Sequence, residues 1–162
     1  MTVFLSRGES LFCEMRIEID EFTMDDYDDA CALWRAMREV ELDDADTREK
    51  MAEYLQRNPA MSFVARHGDT MVGAVLCGHD GRRGYLHHLA VLPEYRNRGI
   101  GTRLVNACLA ALGSHGIERC NIFIFSHNEP GKSYWTRTGW SRSPDVDVMY
   151  KYIEPAAGTE KH

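Results

Sequence analysis

The sequence has no apolar run approaching the roughly 20 residues a membrane helix needs. Its first residues also lack the basic start, apolar stretch and small-residue cleavage site of a secretory leader. Both absences point to a cytoplasmic protein. There is no Cys-x-x-Cys, and the five cysteines, Cys13, Cys31, Cys77, Cys108 and Cys120, are odd in number. This fits a reduced compartment and small buried hydrophobes better than a disulfide framework or a catalytic thiol. There is no His-Glu-x-x-His, and His79, His115 and His127 fall in separate turns, so no metal site is expected. Neither Gly-x-x-x-x-Gly-Lys-Ser/Thr nor Gly-x-Gly-x-x-Gly is present, which argues against a nucleotide site. With a net charge of −6 the chain is no candidate for wholesale nucleic-acid binding.

What is present centres on Gly84 to Gly113. Tyr85 to Leu92 is a mostly apolar run of strand length, Pro93 stops it, and Gly101 to Leu112 carries apolar residues at helical spacing. Strand, tight turn and helix follow in that order. The turn holds Arg96, Arg98, Gly99 and Gly101 directly before a helix N-terminus. Glycines let the backbone approach a ligand, the first helical N–H groups and the macrodipole favour an anion, and the arginines add positive charge.

The remaining elements read off in order. Met15 to Asp20 alternates as a strand, and residues 1–14 before it read as an N-terminal extension. Thr23 and the acids after it cap a helix bearing Ala30, Leu33, Trp34 and Met37; Thr47 to Gln56 forms a second helix with Met51, Tyr54 and Leu55. Met61 to Arg66 and Thr70 to Cys77 form a hairpin around His67-Gly68-Asp69. Glu118 to Phe125 reads as a strand, Asn128 to Thr138 as a short helix and Val146 to Ile153 as a last strand; the tail, 155–162, frays. The expectation is a single domain over 15–154, without repeats. Its fold class is α/β: a mixed, mostly antiparallel central sheet flanked by helices on both faces.

Arg96-x-x-Gly99-x-Gly101, preceded by Leu89-Ala-Val91 and a proline, resembles the acyl-CoA pyrophosphate-binding motif of the GNAT superfamily of N-acetyltransferases. The resemblance covers roughly Met15 to Ile153. It implies the GNAT layout, acetyl-CoA as co-substrate, and transfer of an acetyl group to a primary amine, on a small molecule or on a peptide or protein, within a ternary complex. The cofactor residues it implies are Leu89, Ala90 and Val91, whose backbone would pair with the pantetheine arm, and the turn Arg96, Asn97, Arg98, Gly99, Ile100, Gly101 and Thr102. Asn128 and Trp135 are implied as further cofactor contacts. A homodimer is left open.

The acceptor half rests on chemistry. An alkylamine has a pKa of roughly 10.4, so near pH 7 only about one molecule in a thousand carries a free lone pair. Histidine suits its deprotonation. Strand alternation places His87 on the face of Tyr85 and Leu89, and His88 on the opposite face with Ala90. Arylalkylamine members of the family carry histidines at the positions of Tyr85 and His87, so His87 is the expected base and His88 is assigned to structure. The family often protonates the leaving thiolate with a tyrosine in its last helix; aligned on Asn128 and Gly139, that position here is Trp135, with Tyr134 one residue earlier. An indole cannot act as an acid at neutral pH, so Tyr134 is the candidate, or water serves. Asp20 to Glu49 holds twelve acidic residues against three arginines, which reads either as solvated surface or as an acidic rim for a cationic acceptor. The displaced tyrosine also leaves a non-catalytic acyl-CoA sensor as the alternative.

Overall fold

The computed structural model describes residues 15–155. The expected extension 1–14, with Cys13, and residues 156–162 of the expected tail lie outside that range. The chain divides into two compact units, one up to Asn128 and one from Glu129.

The first unit is a five-stranded sheet in sequence order. It comprises β1 (Ile17–Glu21), β2 (Phe63–His67), β3 (Thr70–His79), β4 (Gly84–Val91) and β5 (Cys120–Ile122). β1 to β4 pair antiparallel, and β5 joins β4 in parallel. Helix α1 (Tyr27–Arg35) and helix α2 (Arg48–Arg57) join β1 to β2, while α3 (Ile100–Ser114) makes the crossover from β4 to β5.

Both helix starts follow from capping chemistry. Thr23 N–H donates to Asp26 Oδ2 at 2.9 Å and a 3₁₀ turn over Met24–Asp26 leads into α1, while Thr47 caps α2 by accepting from Lys50 N–H. β3 is buried without a break from Met71 to Gly78, because both faces of the sheet are covered. On one face Trp34, Met37 and Met51 of the α1–α2 region pack with Met71, Ala74 and Leu76. α3 packs on β2, β3 and β4 through buried Leu104, Cys108 and Leu112. The mixed, mostly antiparallel layout with flanking helices is the one expected.

Two strands differ from expectation. β5 covers only Cys120–Ile122 rather than Glu118 to Phe125, because it pairs with Gly84, Tyr85 and Leu86 and then loses its neighbour. Residues 146–153 form no strand. Their alternation of apolar residues suits a sheet, but no described strand supplies the ladder bonds, and Val146, Val148, Tyr150 and Tyr152 are exposed.

In the second unit, α4 (Glu129–Arg137) opens with Pro130 in its first turn, where a missing N–H costs no helical bond. Trp135 meets Tyr134 and Trp140 edge to face, with centroids 5.2 and 4.8 Å apart.

Candidate active site

The sheet becomes irregular along one strand. Gly84 to Leu86 of β4 are paired on both sides, but from His87 onward β5 no longer follows, so the β4 edge from His87 to Val91 has no described strand on that side. Pairing with β3 also slips: Leu76 opposes His87 and Ala74 opposes Ala90, leaving His88 and Leu89 opposite the single residue Val75. At this bulge His88 takes φ = 55°, a left-handed conformation rare for residues other than glycine.

The bulge overturns the strict alternation expected of the two histidines. His87 and His88 both line one cavity of about 450 Å³ between β4, β3 and the α1–α2 connection. Their ring centroids are 6.5 Å apart. Asp43, Ala45 and Asp46 form one wall, and Met51, Tyr54 and Arg57 of α2 another. Burial, and then the charge of His88, push the His87 imidazole below its ordinary value, with Asp46 opposing. His87 is therefore neutral at pH 7, the form that accepts a proton.

Three groups at this cavity escape a reading of the sequence. Asp46 lies within an acidic run that reads as surface, yet its Oδ1 is 2.7 Å from His88 Nε2. His88 itself is set aside by strict alternation. Tyr54 is one apolar position among several in α2, yet its ring meets His87 edge to face at 6.4 Å, and its hydroxyl is buried without a partner. Burial pushes that phenol well above its ordinary pKa, so it stays protonated. The signal in the sequence is the acid cluster Asp43-Asp44-Ala45-Asp46 opposite a double histidine, which only the fold brings together.

The rest of the acidic segment divides between structure and surface. Asp26 pairs with Arg66 of β2, and Asp28 with Arg48 at 2.6 Å. At the cavity itself the charges are mixed: Asp43, Asp46 and Glu53 face Lys50 and Arg57.

The turn before α3 is built from backbone. A 3₁₀ turn over Pro93–Tyr95 leads to Asn97 at φ = 60° and Gly99 at φ = 75°, and Gly99 is the N-cap of α3. Among the described residues, nothing beyond its chain neighbours and its own helix lies within 4 Å of where a Cβ on Gly99 would stand, so this side of the helix end is open to approach. Main-chain N–H groups and the dipole of a 15-residue helix meet there, and these suit a pyrophosphate. The arginines point elsewhere. Arg96 Nε donates to the Val91 carbonyl at 3.0 Å, and Arg98 sits near Met15 Sδ and over the Tyr95 ring. Since Leu92 N–H donates to Val72 of β3, the Val91 carbonyl opposes it across the trans peptide and points to the open edge. Backbone turn and open strand edge together fit an acyl-CoA in kind: an anion cradle followed by strand-like amide partners.

The model of the acetyltransferase (GNAT) family matches residues 24–140, most of the chain. The chain belongs to the GNAT family. A Yersinia pestis acetyltransferase is 31% identical over 119 residues, covering 70% of this chain and 79% of that protein. An N-alpha-acetyltransferase 30 of Schizosaccharomyces pombe is 33% identical over 117 residues, covering 66% and 76%. Among solved structures, the PaiA N-acetyltransferase of Thermoplasma acidophilum in complex with coenzyme A superposes with a TM-score of 0.72 at 21% identity, covering 82% of this chain and 94% of that one. This GNAT protein is an acetyl-CoA-dependent acetyltransferase. Among its described residues no group of three or more His, Cys, Asp or Glu is placed to hold a metal ion, and no helix is long and apolar enough to cross a membrane.

Proposed function

We propose that this GNAT enzyme acetylates a primary amine by direct attack on acetyl-CoA in a ternary complex. The observation that carries the reading is a cavity lined by His87 and His88, the first two residues of the β4 edge that β5 leaves open. An acceptor in the cavity reaches a neutral base and the strand edge that would hold the thioester.

Leu89, Ala90 and Val91 would pair with the pantetheine arm, and the turn from Arg96 through Asn97, Arg98, Gly99, Ile100 and Gly101 to Thr102 would hold the pyrophosphate. His87 takes the ammonium proton. The N–H groups released from the ladder at the His88–Leu89 bulge are the candidates to stabilise the oxyanion. Tyr134 of α4 is the candidate donor to the leaving thiolate, with Asn128 and Trp135 as further cofactor residues; these rest on residue type and position in the motif. Asp43 and Asp46 support a cationic acceptor. All four described cysteines are free thiols, which supports a cytoplasmic setting.

The test is calorimetric titration with acetyl-CoA, followed by thiol release with a mixed pool of amines and peptides. Binding with turnover on cationic amines is expected. Turnover only with neutral or acidic acceptors would remove the charge argument, and tight binding with no turnover from a broad pool would return weight to the sensor alternative. Because only neutral His87 is active, kcat/KM should fall as pH drops, with the limb below roughly 6.5, the ordinary value from which burial lowers it.

A further inference from the structure

The bulge that brings both histidines to the cavity also sets one of them against a carboxylate. The side chains of His88 and Asp46 are 19% and 11% exposed, and the two are joined at 2.7 Å. Asp46 is held from two further directions. Its Oδ2 accepts from Asp43 N–H at 3.0 Å, and its main-chain oxygen accepts from the Tyr27 hydroxyl at 2.8 Å. The His88 ring lies 5.2 Å from that of fully buried Trp34, which fixes its plane.

Burial would raise the Asp46 carboxyl, but the hydrogen bond from His88, the Asp43 N–H and the charge of the histidines outweigh it and hold it below its ordinary value. Asp46 is therefore an acceptor only, and Nε2 must be the protonated nitrogen of a neutral His88. Nδ1 then carries the lone pair. Among the described residues no hydrogen-bond partner engages it.

His87 has the opposite surroundings. The burial that keeps it neutral also disfavours its imidazolium, and among the described residues no carboxylate is hydrogen-bonded to it. It can receive a proton but is poorly placed to keep one.

We infer that His88, oriented and charge-compensated by Asp46, holds the acceptor's proton after His87 has taken it. The ammonium N–H breaks as His87 accepts the proton, and the amine nitrogen keeps the electron pair for attack on the thioester carbonyl. His87 passes the proton through one water to His88 Nδ1, across rings whose centroids are 6.5 Å apart. The His88 imidazolium then faces the Asp46 carboxylate, so the pair is neutral overall, and the proton leaves to solvent after transfer. The other charges at the cavity do not replace this pair: Lys50 is bound to Glu53 at 2.9 Å, the Arg57 guanidinium has donors and no acceptor, and Asp43 is engaged with Ala45 N–H. The inference rests on the amine-acetylating function proposed above.

His88→Gln tests it, since the amide still donates to Asp46 but has no nitrogen that titrates. With acetyl-CoA and the amine giving the fastest thiol release from the pool, kcat should fall about tenfold to hundredfold while KM for the amine stays within about twofold. The acid limb of the pH–rate profile should shift. The double variant His87→Gln/His88→Gln should lose no more than the worse single variant, because both serve one relay. A wild-type kcat and pH profile in His88→Gln would overturn the inference. Nitrogen-resolved NMR of the wild-type protein without ligands gives a second test that needs no acceptor. It should find His88 as the Nε2–H tautomer, and an Nδ1–H tautomer at neutral pH would refute the relay even if amines are acetylated. Absence of turnover on every amine, beside the expected tautomer, would instead count against the function proposed above.

Discussion

The two sides of β4 present different kinds of surface. Toward α3 the structure offers main chain: an open strand edge, left-handed turns at Asn97 and Gly99, and a helix N-terminus. Toward α1 and α2 it offers side chains gathered from four separate segments, Asp43 to Asp46, α2, Leu76 of β3 and the β4 bulge. A backbone cradle can hold any acyl-CoA and tolerates changes of side chain, provided its dihedral angles survive. A side-chain pocket can be altered one group at a time, which is the arrangement expected where acceptors differ between related enzymes.

The largest effect should come from breaking the backbone side. Gly99→Glu places negative charge where a pyrophosphate would lie and should weaken acetyl-CoA binding by at least about a hundredfold in calorimetry. Gly99→Ala is the control. Among the described residues nothing beyond its chain neighbours and its own helix lies within 4 Å of the added Cβ, so its cost is the left-handed φ of 75°, about 1–2 kcal/mol of stability with affinity largely kept. Equal loss in both variants would show that the turn's conformation, rather than charge at the helix end, governs affinity. Unchanged affinity in Gly99→Glu would overturn the anion site.

The same contrast explains which parts of the molecule are legible in the sequence. The backbone cradle is made of consecutive residues, Leu89 to Thr102, and glycine, proline and helix periodicity are local signals, so strand, turn and helix read off together. The histidine-lined cavity depends on pairs far apart in sequence, Asp46 with His88 and Tyr54 with His87. Nothing local announces that Asp46 turns inward when Asp28 pairs with Arg48 at the surface. Period-two reasoning fails at His88 because a bulge adds one residue to one strand without a composition signal; neither neighbour is a glycine. It fails for Val146 to Ile153 for another reason: alternation states what a strand would bury, and only a neighbouring strand can make it one.

An intermediate effect should appear on the side-chain pocket alone. A Cβ on Gly78 would stand 2.7 Å from both the unpartnered Tyr54 hydroxyl and the side-chain amide of Asn58, the residue that ends α2. Asn58 Oδ1 accepts from His79 N–H at 3.0 Å, so it cannot withdraw without losing that bond. Gly78→Ala should therefore push Tyr54 into the cavity and raise KM for the amine about three- to tenfold, with acetyl-CoA affinity unchanged and stability lowered by about 1–3 kcal/mol. A parallel loss of acetyl-CoA binding would show that the two sides are not separable.

The smallest effect sharpens the claim that backbone, not arginine, holds the anion. Arg96 Nε donates to the Val91 carbonyl, and its guanidinium lies 3.3 Å from Met37 Sδ. Removing it exposes a carbonyl on the open edge of β4 that water can satisfy, and leaves the N–H groups at Gly99 in place. Arg96→Ala should then weaken acetyl-CoA by less than about tenfold, under roughly 1.4 kcal/mol, and leave the salt dependence of binding close to that of the unsubstituted protein. A hundredfold loss that steepens or flattens with ionic strength would mean that the guanidinium swings to the pyrophosphate when the cofactor arrives, so that the cradle is half side chain after all.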